Sequence, residues 1–180
     1  LDTVGTIAYE LRAEQEQAVL QTFDYFMSHE KGEFLWNAKP RFGKTLATYD
    51  LCKRLQATKG DYACNILIVT NRPAIANSWY EDFVKFIGTE SGFRFVSEVS
   101  ALKGKPFVMS REEYTAGLTQ ELADCIEFVS LQDLKGSLYF GGQHDKLKEL
   151  VNMQWELLVI DEAHEGVDTS KTDVAFHQIK

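Results

Sequence analysis

Residues 65–70 read Asn-Ile-Leu-Ile-Val-Thr, with Ile66, Leu67, Ile68 and Val69 in direct succession. A strand with one wet face alternates apolar and polar side chains. An unbroken apolar run of strand length needs cover on both faces, as in a parallel sheet packed between helices. Trp155 to Ile160 and Cys125 to Ser130 read as further strands, and Phe93 to Val99 and Pro106 to Met109 as short ones. Glu33 to Ala38 reads as another buried strand. Helical spacing fills the intervals. Leu11, Val19, Phe23, Phe26 and Met27 fit one helix face, and a helix follows residue 45 to about Ala57, where Gly60 stops it. Ile75, Trp79, Phe83 and Phe86 mark a helix capped by Asn71, with Pro73 in its first turn and Gly88 at its end. Arg111 to Asp124 reads as a polar helix or an excursion, Leu131 to Gly142 as a turn or loop, and Asp145 to Asn152 as a helix. Strands alternating with helices imply an α/β fold, a mainly parallel β-sheet with helices on both faces. Ligands of such sheets sit at the carboxyl ends of the strands.

The chain has 180 residues, 44% of them apolar, which is enough for one domain with a real core. Residues 89–124 are the least regular part and read as an elaboration on it. No apolar run reaches the roughly 20 residues that span a bilayer, so no membrane partner is expected. The net charge of −8 argues mildly against a domain that coats nucleic acid. It leaves room for one that grips a backbone with a few placed groups. Arg111 to Glu127 carries one positive and five negative residues, a stretch nucleic acid should avoid. Cys52, Cys64 and Cys125 are too scattered for a disulfide framework or a zinc site. They read as small core residues, natural to a reducing cytoplasm.

Two motifs carry chemistry. Ala38-Lys39-Pro40-Arg41-Phe42-Gly43-Lys44-Thr45 sits between an apolar run and a helix. A strand, a tight loop and a helix N-terminus form a cradle in which backbone N–H groups meet phosphate. Gly43 lets the backbone approach, Lys44 places a point charge on the outer phosphates, and Thr45 offers its hydroxyl to Mg²⁺. Arg41 can face phosphate, nucleic acid or a carboxylate. Far down the chain, Asp161 ends the apolar run Leu157-Leu158-Val159-Ile160 and is followed by Glu162, Ala163 and His164. A carboxylate there is costly unless a positive partner meets it, and Mg²⁺ is such a partner. Glu162 can orient and deprotonate the attacking water. Both motifs fall at carboxyl ends of strands. Together they imply Mg·ATP as cofactor.

These residues also carry a family resemblance. Asp161-Glu162-Ala163-His164 resembles motif II of superfamily 2 helicases and translocases (DEAD/DEAH-box proteins), and Ala38 to Thr45 resembles their motif I, where Ala often replaces the first Gly. Leu11 to Val19 resembles their upstream adenine-recognition element. The resemblance implies a RecA-like P-loop NTPase fold and has Gln15 read the adenine edge, which its amide can do as donor and acceptor. Otherwise Gln15 is a helix-surface glutamine. Ile66 to Trp79 is similar to motif Ia, and Val129-Ser130-Leu131-Gln132 to the next nucleic-acid-facing element. Thr70, Asn71, Arg72, Ser130 and Gln132 would then meet phosphates, although capping and turn formation account for the same residue types. His164 would couple the nucleotide site to the next motif; the alternative is a solvent-facing histidine.

The loop and the Asp-Glu-Ala-His-Glu-Gly-Val-Asp-Thr tail look most like motor subunits of type III restriction enzymes. That resemblance implies an ATP-hydrolysing motor on duplex DNA, in a parent protein with a second RecA-like domain that supplies an arginine, alongside an endonuclease activity and a modification (methyltransferase) subunit. Both ends of the chain read as cuts, so residues 1–180 are expected to be the N-terminal RecA-like domain of a longer chain. The rival readings are an ATPase acting on RNA or nucleoprotein, and a nucleotide-dependent switch that does not turn over.

Overall fold

The computed structural model describes residues 6–29, 32–36, 42–60, 63–70, 75–117, 124–131 and 155–161. Helices α1 (Ala13–Ser28), α2 (Lys44–Ala57), α3 (Ala76–Asp82) and α4 (Arg111–Gly117) accompany strands β1 (Asn65–Thr70), β2 (Phe93–Ser97), β3 (Val108–Met109), β4 (Asp124–Ser130) and β5 (Leu157–Asp161). The strands form one parallel sheet in the order β3-β2-β4-β1-β5. The fold is therefore α/β with a parallel sheet, as the unbroken apolar runs require. The β1 run lies at the centre, and residues 66–70 are all buried. The helix expected at Asp145–Asn152 and the loop expected at Leu131–Gly142 fall outside the described residues, apart from Leu131, which is buried.

One sheet face carries the main core. Ile66 and Ile68 of β1, Ile126 and Phe128 of β4, and Phe93 and Phe95 of β2 meet Leu51, Cys52 and Leu55 of α2 and Trp79 of α3. The other face holds a smaller cluster of Val96, Cys125 and Tyr114 of α4, with Met109 against it. Glu127, on that second face, is fully buried and ion-paired with Arg111, which is itself buried. Two of the charges in the acidic stretch 111–127 thus face each other inside the fold and not solvent.

Three expectations need correction. Among the described residues Glu33 to Trp36, no strand forms. Their aromatic side chains are used on α1: the Trp36 indole N–H donates to the Thr22 hydroxyl at 2.6 Å, and Phe34 meets Tyr25 edge to face at 5.5 Å. Leu35 is 81% exposed, which a buried strand would not allow. In α1, Met27 lies at the margin of the apolar face and is half exposed, whereas Val19 is fully buried. The helix through Trp79 does not stay α-helical. It widens into a π-helical turn over Phe83–Ile87 that ends on Gly88 at φ 67°. The wider turn puts Ile87 in the core in place of Phe86, and Phe86 meets Tyr9 edge to face at 5.5 Å.

Candidate nucleotide site

The register of the three neighbouring strands creates the site. Thr70, the last residue of β1, pairs across the sheet with Ser130 of β4 and with Asp161 of β5. Three polar side chains therefore form one row at the carboxyl edge of the sheet, all buried. Asp161 holds both of its oxygens in contact. The Lys44 ammonium donates to Oδ1 at 2.6 Å, and the Trp79 indole N–H donates to Oδ2 at 3.2 Å. Carboxylate and ammonium come from the two sequence motifs, which the fold brings into direct contact.

Lys44 is the first residue of α2, and Gly43 caps it from the left-handed region at φ 80°. A side chain there would be strained, and a Cβ would also stand 2.4 Å from the Gln15 amide nitrogen. Gln15 is buried, not a surface residue. Its amide nitrogen donates to the carbonyls of Phe42 at 2.8 Å and Gly43 at 3.2 Å, and its oxygen accepts from the Arg12 N–H at 2.9 Å. The Arg12 guanidinium also donates to the Phe42 carbonyl, at 2.6 Å. The start of α1 thus grips the end of the loop, and both amide protons of Gln15 are spent on it. Thr45 donates its hydroxyl to the Asp82 carboxylate of α3, and Thr48 donates to the Lys44 carbonyl at 2.6 Å.

Of the sequence-predicted residues, Gln15, Phe42, Gly43, Lys44, Thr45 and Asp161 thus converge on one edge of the sheet, with Thr70 and Ser130 in the same row. Ala38, Lys39, Pro40, Arg41, Asn71, Arg72, Gln132, Glu162 and His164 lie outside the described residues. Three residues to which the sequence assigned no role in the site belong to it: Arg12 and Trp79, which lie within quoted motifs, and Asp82, which lies in none. For Trp79 a signal existed. A tryptophan read as core has an indole N–H that needs an acceptor when buried.

The donor set suits a nucleotide with a hard cation. A helix N-terminus opened by a left-handed glycine carries an ammonium in contact with a buried carboxylate, and its second residue supplies a hydroxyl. Hydroxyl and carboxylate oxygens are the ligands Mg²⁺ takes. The Lys44 side chain is 42% exposed, so its ion pair with Asp161 is open to exchange.

A sequence model of the family described as "Type III restriction enzyme, res subunit" matches residues 8–180. The chain belongs to the type III restriction enzyme res-subunit family. Membership in this helicase-like family agrees with the resemblance carried by the two motifs. A protein of Mycoplasma pneumoniae, described as the C-terminal part of a type II restriction enzyme and methyltransferase, is 25% identical over 177 residues. That alignment takes in 95% of this chain and 22% of the relative. Among solved structures, a nuclease-deletion mutant of the Type ISP restriction-modification enzyme LlaGI, in complex with a DNA substrate mimic, superposes with a TM-score of 0.63 at 15% identity. The superposition covers 92% of this chain and 16% of that one, and it shows a shared fold. The res-subunit domain seen here thus spans about a fifth of the length of the curated relative it matches.

Proposed function

We propose that this res-family domain is the ATP-binding and ATP-hydrolysing first RecA-like domain of a superfamily 2 motor that tracks along duplex DNA in a restriction enzyme. The observation that carries the reading is the contact between Lys44 and Asp161, 2.6 Å apart at the carboxyl edge of a parallel sheet. In this reading Lys44 leaves Asp161 for the outer phosphates of ATP. That exchange uncovers a carboxylate at the end of a buried strand, and the Thr45 hydroxyl, one residue along α2 from Lys44, would supply a second oxygen. Mg²⁺ bound there would neutralise charge on the phosphate oxygens. Gln15 and Arg12 hold the loop against α1, and Gln15 would offer its remaining acceptor capacity to adenine. Glu162 would orient the attacking water and take its proton, and His164 would pass the state of the site onward. Asn71, Arg72 and Gln132, beside the buried Thr70 and Ser130, would meet DNA phosphates. A second RecA-like domain would supply an arginine to the transition state, so the isolated domain should turn over slowly. A modification subunit would provide recognition of the target.

The test is ATP turnover by the complete protein, with and without duplex DNA, for wild type, Lys44→Ala and Glu162→Gln. Both substitutions are expected to lower the DNA-stimulated rate by on the order of a hundredfold. Unchanged turnover in both would sink the site assignment. Stimulation by RNA but not by DNA would replace the substrate.

A further inference from the structure

One face of α3 touches both side chains assigned to the metal. Trp79 and Asp82 are three residues apart, which places them on the same side of the helix. The Trp79 indole N–H donates to Asp161 Oδ2 at 3.2 Å, and the Asp82 carboxylate accepts the hydroxyl proton of Thr45. Trp79 is itself fixed. The Tyr49 hydroxyl donates to its backbone carbonyl at 2.6 Å, and the two rings meet at right angles with centroids 5.5 Å apart. Both residues are buried. Tyr49 belongs to α2, the helix that starts with Lys44 and Thr45, so α2 and α3 lock each other where the two motifs meet. The far side of α3 is tied as well: Tyr80 donates to the Pro106 carbonyl at 2.9 Å, and Lys105 donates to the Asn77 side chain at 2.6 Å.

We infer that α3 is the positioning element of the cation site, with Trp79 fixing the Asp161 carboxylate and Asp82 fixing the Thr45 hydroxyl. The inference rests on the nucleotide reading above and adds two residues to it. Each contact does a definite job. A carboxylate at a strand end can rotate about its last bond. The indole N–H occupies Oδ2 and leaves Oδ1 for whatever replaces the Lys44 ammonium. A threonine hydroxyl can turn its proton or its lone pairs outward. Asp82 takes the proton, which leaves the lone pairs to be offered to a cation. Outer partners of this kind orient metal ligands, and their loss costs about ten- to hundredfold in metal affinity. In the proposal both residues act through the cation's ligands and not on the nucleotide, so neither should matter when no cation is present.

The experiment measures affinity of the complete protein for a slowly hydrolysed ATP analogue, once with Mg²⁺ and once with EDTA. The proteins are wild type, Trp79→Phe, Asp82→Ala, Asp82→Asn and Lys44→Ala, each checked by circular dichroism and thermal unfolding. Trp79→Phe keeps a ring in the core and removes only the donor. Asp82→Ala alters a half-buried helix end, so it remains informative if Trp79→Phe unfolds. The expected result is a loss of about tenfold in Mg²⁺-dependent affinity for Trp79→Phe and Asp82→Ala, with the EDTA affinity unchanged. Asp82→Asn, whose amide oxygen still accepts the Thr45 proton, should keep most of the affinity. Losses that are equal with and without Mg²⁺, or no loss in either variant, would overturn the inference. Failure of the underlying reading looks different: wild type would bind no better with Mg²⁺ than with EDTA, or Lys44→Ala would bind like wild type. Either would remove the reading and the inference together.

Discussion

Two aspartates stand at opposite ends of the sheet, each held by α2, and they do opposite things. Asp161 ends β5 at the carboxyl edge, where Lys44, the first residue of α2, donates to it at 2.6 Å. Asp124 begins β4 at the amino edge, where Gln56, in the last turn of α2, donates to Oδ2 at 2.6 Å. The Cys64 N–H donates to the other oxygen of Asp124 at 2.8 Å. Twelve helical residues rise roughly 18 Å, about the length of the central strands, so one helix reaches both edges. The difference lies in the partners. The Asp124 carboxylate is met by two neutral donors fixed in the fold, a backbone N–H and a side-chain amide. The Asp161 carboxylate has one such donor, the Trp79 indole, and on its other oxygen a half-exposed ammonium at the glycine-capped start of α2. A carboxylate held only by neutral, fixed partners makes a structural clamp. An exchangeable cation makes a site, because another cation and a phosphate can take the two halves apart.

The strongest way to break this comparison is to remove one partner from each end. Lys44→Ala should act mainly on binding, lowering affinity for Mg·ATP by on the order of a hundredfold, with a smaller loss of stability from the uncompensated Asp161 carboxylate. Asp124→Ala should do the reverse. It strands the N–H of buried Cys64, so unfolding stability should fall by about 1–3 kcal/mol at unchanged nucleotide affinity. Equal loss of nucleotide affinity in both variants would mean that the two ends are not separate devices.

A finer test lies in the glycines. Gly43 and Gly60 both sit at positive φ, 80° and 61°. A Cβ on Gly43 would meet the Gln15 amide at 2.4 Å, whereas nothing lies within 4 Å of one on Gly60. Gly60→Ala should therefore cost only the left-handed backbone strain, about 1–2 kcal/mol in chemical denaturation. Gly43→Ala should cost that and push the amide off the carbonyls of Phe42 and Gly43, so nucleotide affinity falls too. If the two variants match in nucleotide affinity, the grip of α1 on the loop does not shape the site.

How much of this could be read from the chain varies by kind of contact. The unbroken run Ile66 to Val69 declared a sheet covered on both faces, and Gly-Lys-Thr and the terminal Asp161 declared the carboxyl edge. Those signals are local, because each is a property of a few adjacent residues. Asp82 carries no local mark, and Arg12, though inside the Leu11–Val19 element, carries none for its grip on the loop. Their roles come from helices that meet across the fold, as when Thr45 donates to a residue 37 positions away. Glu127 lay between, since a charge inside Cys125-Ile126-Glu127-Phe128-Val129 demands a buried partner. Nothing in the chain singled out Arg111 as that partner. Glu33 to Trp36 misled because a short aromatic run serves a strand or a helix surface equally well, and here α1 won it.

The smallest expected effect concerns the amino edge of the sheet. Cys64, next to β1, and Cys125, in β4, are buried free thiols, as is Cys52 on α2. Burial pushes the Cys64 and Cys125 thiols up to about 12, with the nearby Asp124 carboxylate adding to the rise, and Cys52 moves the same way. The folded state therefore keeps these groups neutral well above pH 9, where an unfolded chain begins to ionise them. Stability from this source is complete below the unfolded value and is lost as pH rises from about 9 toward the folded value. The urea midpoint should fall steadily between pH 8 and pH 10.5, and a Cys52→Ala/Cys64→Ala/Cys125→Ala triple variant should lose part of that slope. At pH 8 an aromatic disulfide reagent should label none of the three thiols in the native protein and all three in denaturant. Rapid native labelling of Cys64 would mean that the amino edge opens, and that the Asp124 clamp is as exchangeable as the ion pair at the other end.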